Sequence, residues 1–288
     1  MEERNERVFR HRRGSLTLGR RTRLMGIVNV TPDSFSDGGR FLESVKAVDH
    51  ALLLIADGAE MIDLGAESTR PGSQPVSEDV QLERLLPVLE KIRPVTGAIL
   101  SIDTRSPKVA KECLLIGADT INDVSGLRDN SDLADVCAKA GSGLIVMHMR
   151  GAPQTMQNEP HYQDVVSVVR RSLHESVEFA LRCGMEREQV LVDPGLGFGK
   201  SFIHNYNLLH ALKSFQGLGA GVLIGPSRKA FTGEFSGLPA ESRQYSTAAT
   251  VAISILNGAD IVRVHDVNEM RQVADICDRY KELAHEQA

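Results

Sequence analysis

Short apolar runs rich in β-branched residues alternate with amphipathic stretches along almost the whole chain, and this alternation constrains the fold more than any other feature. Leu24–Val30, Glu60–Leu64, Ala98–Asp103, Ala118–Asn122, Gly143–His148, Gln189–Asp193, Gly221–Gly225 and Asp260–Val264 have the character of strands buried on both faces. Helical spacing marks Glu43–Asp57, Ser77–Arg93 with a kink at Pro87, and Ser106-Pro107 to Ile116 as the intervening helices. Ser131–Ala140, Gln163–Cys183, a stretch including Leu208–Ser214, Glu241–Gly258 and Val267–Ala284 continue the series. No two apolar runs lie close enough for a hairpin, so the strands are parallel and joined by right-handed helical crossovers. Eight such units predict an α/β fold, a closed (β/α)8 TIM barrel. An open doubly wound sheet is the weaker alternative, because no G-x-G-x-x-G follows the first run. Ahead of the barrel, Val8–Leu18 alternates around Gly14-Ser15 and reads as a hairpin.

Composition narrows the function classes. With 42% hydrophobic and 25% charged residues, the chain has the make-up of a globular protein with a large core. A net charge of −5 gives no basis for binding nucleic acid or an anionic membrane. Residues 1–23 hold eight Arg against three Glu, which reads as a basic N-terminal extension, solvated rather than bound to a polyanion. Residues 24–288 form the barrel domain. The four cysteines are scattered, with no C-x-x-C, and read as reduced thiols of a cytoplasmic protein. No apolar run approaches a membrane span, and no apolar segment follows the N-terminal arginines.

In a parallel barrel the site lies where the strands end. Those ends read Asn29, Asp63, Asp103, Asn122, His148, Asp193, Ser227 with Lys229, and Arg263 with His265. Singly, each is a cap or a surface residue; all at one mouth, they imply one shared site. Asp103, Asn122 and Asp193 suit a flat heterocycle with amide and amino edges, since a carboxylate accepts two parallel N–H bonds. Arg70, Lys229, Arg263 and His265 suit a strongly anionic group such as a phosphate or diphosphate. Three loops add to this. Ala66–Gly72 is polar and turned by Pro-Gly. Asp193–Ser201 (Asp-Pro-Gly-Leu-Gly-Phe-Gly-Lys-Ser) permits close backbone approach and offers Phe198, but is not a Walker A sequence. Gly225–Lys229 brings two cations past the seventh strand. His50, His161, His174, His204 and His210 read as surface or helix residues.

Taken in order, Gly26–Gly39, Gly65–Gly72, Ser101–Thr104, Asn122–Gly126, Asp193–Lys200, Gly225–Lys229 and Arg263–Asp266 resemble the motifs of the dihydropteroate synthase family over nearly the whole chain. The resemblance implies a pterin-binding TIM barrel that joins (7,8-dihydropterin-6-yl)methyl diphosphate to p-aminobenzoate, releases pyrophosphate and requires Mg2+. It implies small-molecule substrates, with no nucleic acid or membrane partner, and a homodimer formed through the last helices, which carry Val251, Ile253, Ile255 and Leu256. By motif position, Thr69, Asp103, Asn122, Asp193, Lys229, Arg263, Val264 and His265 resemble the pterin-diphosphate set. Asn29 resembles the metal ligand. Phe35, Thr69, Arg70, Pro71, Phe198, Lys229 and Ala230 resemble the p-aminobenzoate pocket, and Asp103, Lys229 and Asp193 the catalytic group. Thr31–Gly39 and Glu67–Gly72 are the loops expected to close over the site. One position departs: family members commonly carry serine where this chain has Ala230, beside the carboxylate of p-aminobenzoate and its sulfonamide mimics. A corrinoid-type pterin methyltransferase would not need the cations, and a catalytically silent paralogue would tolerate their loss. A phosphate-binding aldolase or isomerase would show a catalytic Glu or Schiff-base Lys.

Overall fold

A computed structural model describes residues 6–30, 39–67, 76–151 and 161–286. Its first elements are antiparallel strands β1 (Arg7–His11) and β2 (Gly14–Leu18). Among the described residues eight parallel strands then close a barrel: β3 (Arg23–Asn29), β4 (Met61–Gly65), β5 (Ile99–Asp103), β6 (Thr120–Asp123), β7 (Gly143–Met147), β8 (Val190–Asp193), β9 (Gly221–Ile224) and β10 (Ile261–Val264), with β10 pairing back onto β3. Helices α1 (Gly39–Ala56), α2 (Glu78–Ile92), α3 (Pro107–Ile116), α4 (Asp132–Ala140), α5 (Val165–Arg182), α6 (Phe202–His210), α7 (Gln244–Leu256) and α8 (Val267–Glu286) follow the barrel strands in turn. The expected TIM barrel and the hairpin before it are therefore both present.

Strand alternation sorts the side chains. Val28, Ile62, Leu64, Leu100, Ile102, Ile121, Val262 and Val264 join the large cluster packed with the helices. Met25, Met61, Ile99, Ile145, Leu191, Leu223 and Ile261, on the alternate positions, form a second cluster inside the barrel. Two residues further along several strands the inward positions become Ile27, Asp63, Ser101, Asn122 and Arg263. The barrel interior is thus apolar at its floor and polar toward its mouth.

The N-terminal segment departs from a solvated arm. Phe9 and Leu18 are fully buried and complete the floor cluster. Gly143 must lack a Cβ here, because one would collide with the Phe9 ring and with Thr120. Among the described residues the segment's arginines are paired rather than free. Arg13 Nε donates to Asp119 Oδ1 at 2.7 Å and Arg93 Nη1 to Asp119 Oδ2 at 3.0 Å. Arg7 Nη2 donates to Asp260 at 2.5 Å. Asp119 itself is fully buried, and His11 at 3.7 Å, Arg13 and the Leu100 N–H hold its carboxyl below the usual range against the cost of burial. The hairpin turn falls on Arg12-Arg13 rather than Gly14-Ser15, since His11 pairs with Gly14.

Helix boundaries follow local capping. Ser77 accepts from the Val80 N–H, Ser106 from Val109, and Asp164 from Val166 and Ser167. Helix α6 begins at Phe202, where Ser201 and His204 form a reciprocal capping box; it holds Leu208–His210 but ends before Leu212–Phe215, a separate 3-10 turn rather than part of the helix as expected. Helix α7 begins at Gln244, later than expected, after a 3-10 turn at Ala240–Ser242. No helix among the described residues is long and apolar enough to cross a membrane. Since Phe9 fills the floor far from the mouth, Phe9→Ala should lower stability by about 3–5 kcal/mol. Urea unfolding measures that loss, and ligand affinity at the mouth should stay within twofold of the parent chain.

Candidate active site

The mouth holds a cavity of about 640 Å³, within the range of small-molecule sites. Asn29, Asp103, Phe198, Lys229, Ala230, Arg263 and His265 line it, so seven of the residues expected from the sequence converge. Asn122 and Asp193 lie just beneath this lining, 4% and 7% exposed. Val264 faces the helices and contributes no side chain to the cavity. Phe35, Thr69, Arg70 and Pro71 lie outside the described residues, as do most of the two loops expected to close over the site.

A buried polar network underlies the cavity. Asp63, fully buried on β4, accepts from Ser101 Oγ at 2.7 Å, from Asn122 Nδ2 at 2.9 Å and from Arg263 Nε at 2.7 Å. Arg263 Nη2 also reaches Asp103 Oδ2 at 3.4 Å. Register explains the grouping: Asp63 stands opposite Ser101, and Asp103 opposite Asn122. Burial and the nearby Asp63 carboxylate push the Asp103 carboxyl up to about 7, although Arg263 opposes them. Asp193 is also raised by burial, against the Gly195 N–H that it accepts at 2.7 Å and the Lys229 charge.

Lys229 sits over the face of Phe198, with Nζ 3.9 Å from the ring centroid. Burial and Arg263 lower its ammonium to about 8, with Asp193 and Asp103 acting in the other direction. The loop that carries it is pinned from outside. Arg228 takes a left-handed backbone (φ 58°) and pairs with Asp266 at 2.5 Å. Arg243 Nη1 donates to the Lys229 carbonyl at 3.2 Å. Of the two cations expected after the seventh strand, Lys229 therefore meets the acids, while Arg228 lines the rim and is paired with Asp266. Ser227 Oγ and His265 Nδ1 are 2.9 Å apart, which fixes the imidazole beside Arg263.

Sequence reading missed Lys200. It is 2% exposed, and its Nζ lies 3.0 Å from His148 O, 2.8 Å from Gly195 O, 3.1 Å from Phe198 O and 3.0 Å from His148 Nδ1. Burial drives the lysine well below its ordinary value, and burial with the Lys200 charge pushes His148 down to about 2, leaving a neutral ring that accepts. His148 is thereby a support of the 193–201 loop rather than part of the cavity wall. Gly195 and Gly199 make this packing possible, for a Cβ would strike the His148 and Arg150 carbonyls and both residues have positive φ. Asn205 completes the support by accepting the Gly197 N–H at 2.8 Å. The signal available was the position of Lys200 at the end of three glycines, where its reach back onto their carbonyls is set by the fold. Glu67, which lines the cavity and pairs with Arg105 at 3.3 Å, was also passed over.

The family model described as "Pterin binding enzyme" matches residues 25–265. A dihydropteroate synthase from Synechocystis is 42% identical over 261 residues, covering 90% of each chain. The chain belongs to the dihydropteroate synthase family. A dihydropteroate synthase from Bacillus subtilis is 41% identical over 94% of this chain and 93% of its own. The crystal structure of Burkholderia cenocepacia dihydropteroate synthase complexed with 7,8-dihydropteroate superposes with a TM-score of 0.87 at 37% identity, covering 98% of this chain and 99% of that one.

No group of three or more His, Cys, Asp or Glu side chains able to hold a metal occurs among the described residues. The cavity does offer the Asn29 carboxamide beside Arg263 and His265. One amide oxygen, completed by phosphate oxygens and water, is the hard and sparse donor set that Mg2+ accepts.

Lys200→Met leaves three buried carbonyls without their donor, so stability should fall by about 1–3 kcal/mol. Amide exchange at Gly195–Gly199 should accelerate more than at β8, which a site-resolved exchange measurement would register.

Proposed function

We infer that the chain is a dihydropteroate synthase, a transferase that condenses (7,8-dihydropterin-6-yl)methyl diphosphate with p-aminobenzoate to 7,8-dihydropteroate and pyrophosphate in folate biosynthesis. One observation carries the reading: Asp103, the cations Lys229 and Arg263, and His265 line the same cavity. A pterin offers N–H groups to carboxylates, and its diphosphate requires cations, so a site with both halves fits this substrate. A methylated folate carries no diphosphate, and the cationic half would have no use in a methyltransferase.

Asp103, Asn122 and Asp193 hold the pterin, with Lys229 alongside. Arg263 and His265 hold the diphosphate, and the Val264 backbone lies between them. Phe198 and Ala230 serve the p-aminobenzoate pocket, a role that the family motif also gives to Phe35, Thr69, Arg70 and Pro71. Asn29 would ligate Mg2+, which when bound neutralises charge on the leaving diphosphate. The C–O bond to the diphosphate breaks first, and the pterin ring spreads the positive charge left on the methylene. Asp103 favours this cation, because burial and the Asp63 carboxylate outweigh Arg263 and leave its charge incompletely compensated. The aryl amine then forms the C–N bond and loses a proton, and pyrophosphate departs. No strong base is needed, since the amine lone pair attacks an electron-poor carbon.

The assembly and location are part of the same proposal. Val251 and Ile255 belong to the core, but Ile253 and Leu256 on α7 and Ile276 and Tyr280 on α8 are exposed. These two helices, packed against each other, supply the apolar surface for the homodimer. Four unpaired thiols, three of them buried, fit the reducing cytoplasm.

Pyrophosphate release should require both p-aminobenzoate and Mg2+, stop in EDTA, and match dihydropteroate formation. Lys229→Ala and Asp103→Ala should each lower kcat/KM by about 10²-fold or more. Asp103 must be a carboxylate and Lys229 an ammonium, so kcat/KM should rise as pH passes about 7 and fall above about 8. Lys229→Arg should remove the alkaline limb of that profile.

A further inference from the structure

Asp63 is a polar strand end to which the mechanism above assigns no work. Its place is nonetheless unusual. It is fully buried inside the barrel, directly above Met61 of the apolar floor, where an aliphatic side chain would fill space without a charge to desolvate. Both carboxylate oxygens are engaged. Oδ1 accepts from Ser101, and Oδ2 is shared by Asn122 Nδ2 at 2.9 Å and Arg263 Nε at 2.7 Å.

The two partners of Oδ2 come from opposite halves of the site, and each is constrained in a way that matters to a ligand. A carboxamide has a donor end and an acceptor end. Once Nδ2 of Asn122 is committed to Asp63, its carbonyl oxygen is the end left for a ligand N–H. A guanidinium is a rigid fork, so fixing Arg263 at Nε fixes the plane of its terminal nitrogens as well. Asn122 could otherwise flip, and Arg263 could otherwise turn fully onto Asp103, which Nη2 already approaches at 3.4 Å.

We propose that Asp63 is the positioning residue for both halves of the site: it holds Asn122 with its carbonyl oxygen toward the N–H edge of the heterocycle, and it sets the plane in which Arg263 meets the diphosphate. This deepens the functional reading above and rests on it. Ser101 belongs to the same device only through Oδ1 and touches neither ligand-facing group.

The test uses the full chain and four variants: Asp63→Asn, Asn122→Ala, the pair combined, and Ser101→Ala. Asp63→Asn keeps the shape and removes the charge and one acceptor oxygen. Affinity for 6-hydroxymethylpterin and for inorganic pyrophosphate is read by calorimetry, and KM for each substrate by steady-state kinetics. Asp63→Asn should weaken both ligands at least tenfold and raise KM for the pterin diphosphate, with KM for p-aminobenzoate within twofold. In the Asn122→Ala background the same change should cost the pterin no more than a further twofold, while still weakening pyrophosphate tenfold. Ser101→Ala should leave both affinities within threefold. Independent, multiplying losses of pterin affinity, or affinities within twofold of the parent in Asp63→Asn, overturn the proposal.

Should Asp63→Asn fail to fold, the parent chain itself decides. The side-chain amide protons of Asn122 should exchange slowly and remain protected when 6-hydroxymethylpterin binds. Exchange as fast as that of a surface asparagine overturns the proposal. A parent chain that neither binds the pterin nor releases pyrophosphate fails the functional reading instead, and the exchange measurement still judges the Asp63–Asn122 bond.

Discussion

A negative charge sealed inside a barrel must find its counter-charge within reach, and much of the mouth of this protein follows from that requirement. Asp63 has no access to solvent, so Arg263, arriving from the last strand, must turn inward to meet it. Ring closure makes this meeting possible, because β10 pairs with β3 and β3 with β4. The same guanidinium then reaches Asp103, and the ammonium of Lys229 approaches from the neighbouring loop. Positive and negative groups are brought together with few solvent contacts, which leaves Asp103 and Lys229 with displaced titration and hence responsive to an incoming charged ligand.

The rest of the site is built to keep that arrangement still. Lys200 gathers the carbonyls of its own loop, Arg243 holds the backbone of the next, and Arg228 is paired with Asp266. None of these side chains need touch a reacting atom to matter. A cavity of fixed shape loses less entropy when it binds than one that must assemble around its ligand. The catalytic advantage is electrostatic: dipoles and charges already stand where the pterin cation and departing diphosphate will need them.

Legibility in the sequence followed the range of the forces involved. The barrel was readable because each strand announces itself locally, through β-branched runs such as Leu24–Val30 ending at a polar residue. The lining residues Asp103, Lys229, Arg263 and His265 were readable for the same reason, since strand ends in a parallel barrel share one face. Contacts across the ring were not. The three glycines before Lys200 permit a close return but do not single out His148, and nothing near Arg13 says that Asp119 awaits it. Val264 shows the reverse error: it sits in a ligand-binding motif, yet strand alternation turns its side chain to the helices. The end of α6 and the start of α7 differ from expectation because short 3-10 turns, rather than apolar periodicity, decide where those helices stop and begin.

The hairpin beneath the barrel has a bearing on how the protein is made. Arg7 is paired with Asp260, a residue 253 positions later in the chain. During synthesis the hairpin emerges before the barrel, but the floor it joins draws on β7, β8, β9 and β10, which emerge late, as well as on β3, β4 and β5. Phe9 and Leu18 therefore have no completed floor to enter until the last strand has left the ribosome. A hairpin translated before every barrel strand is thus among the last elements to lock, and its arrival reports that the ring has closed.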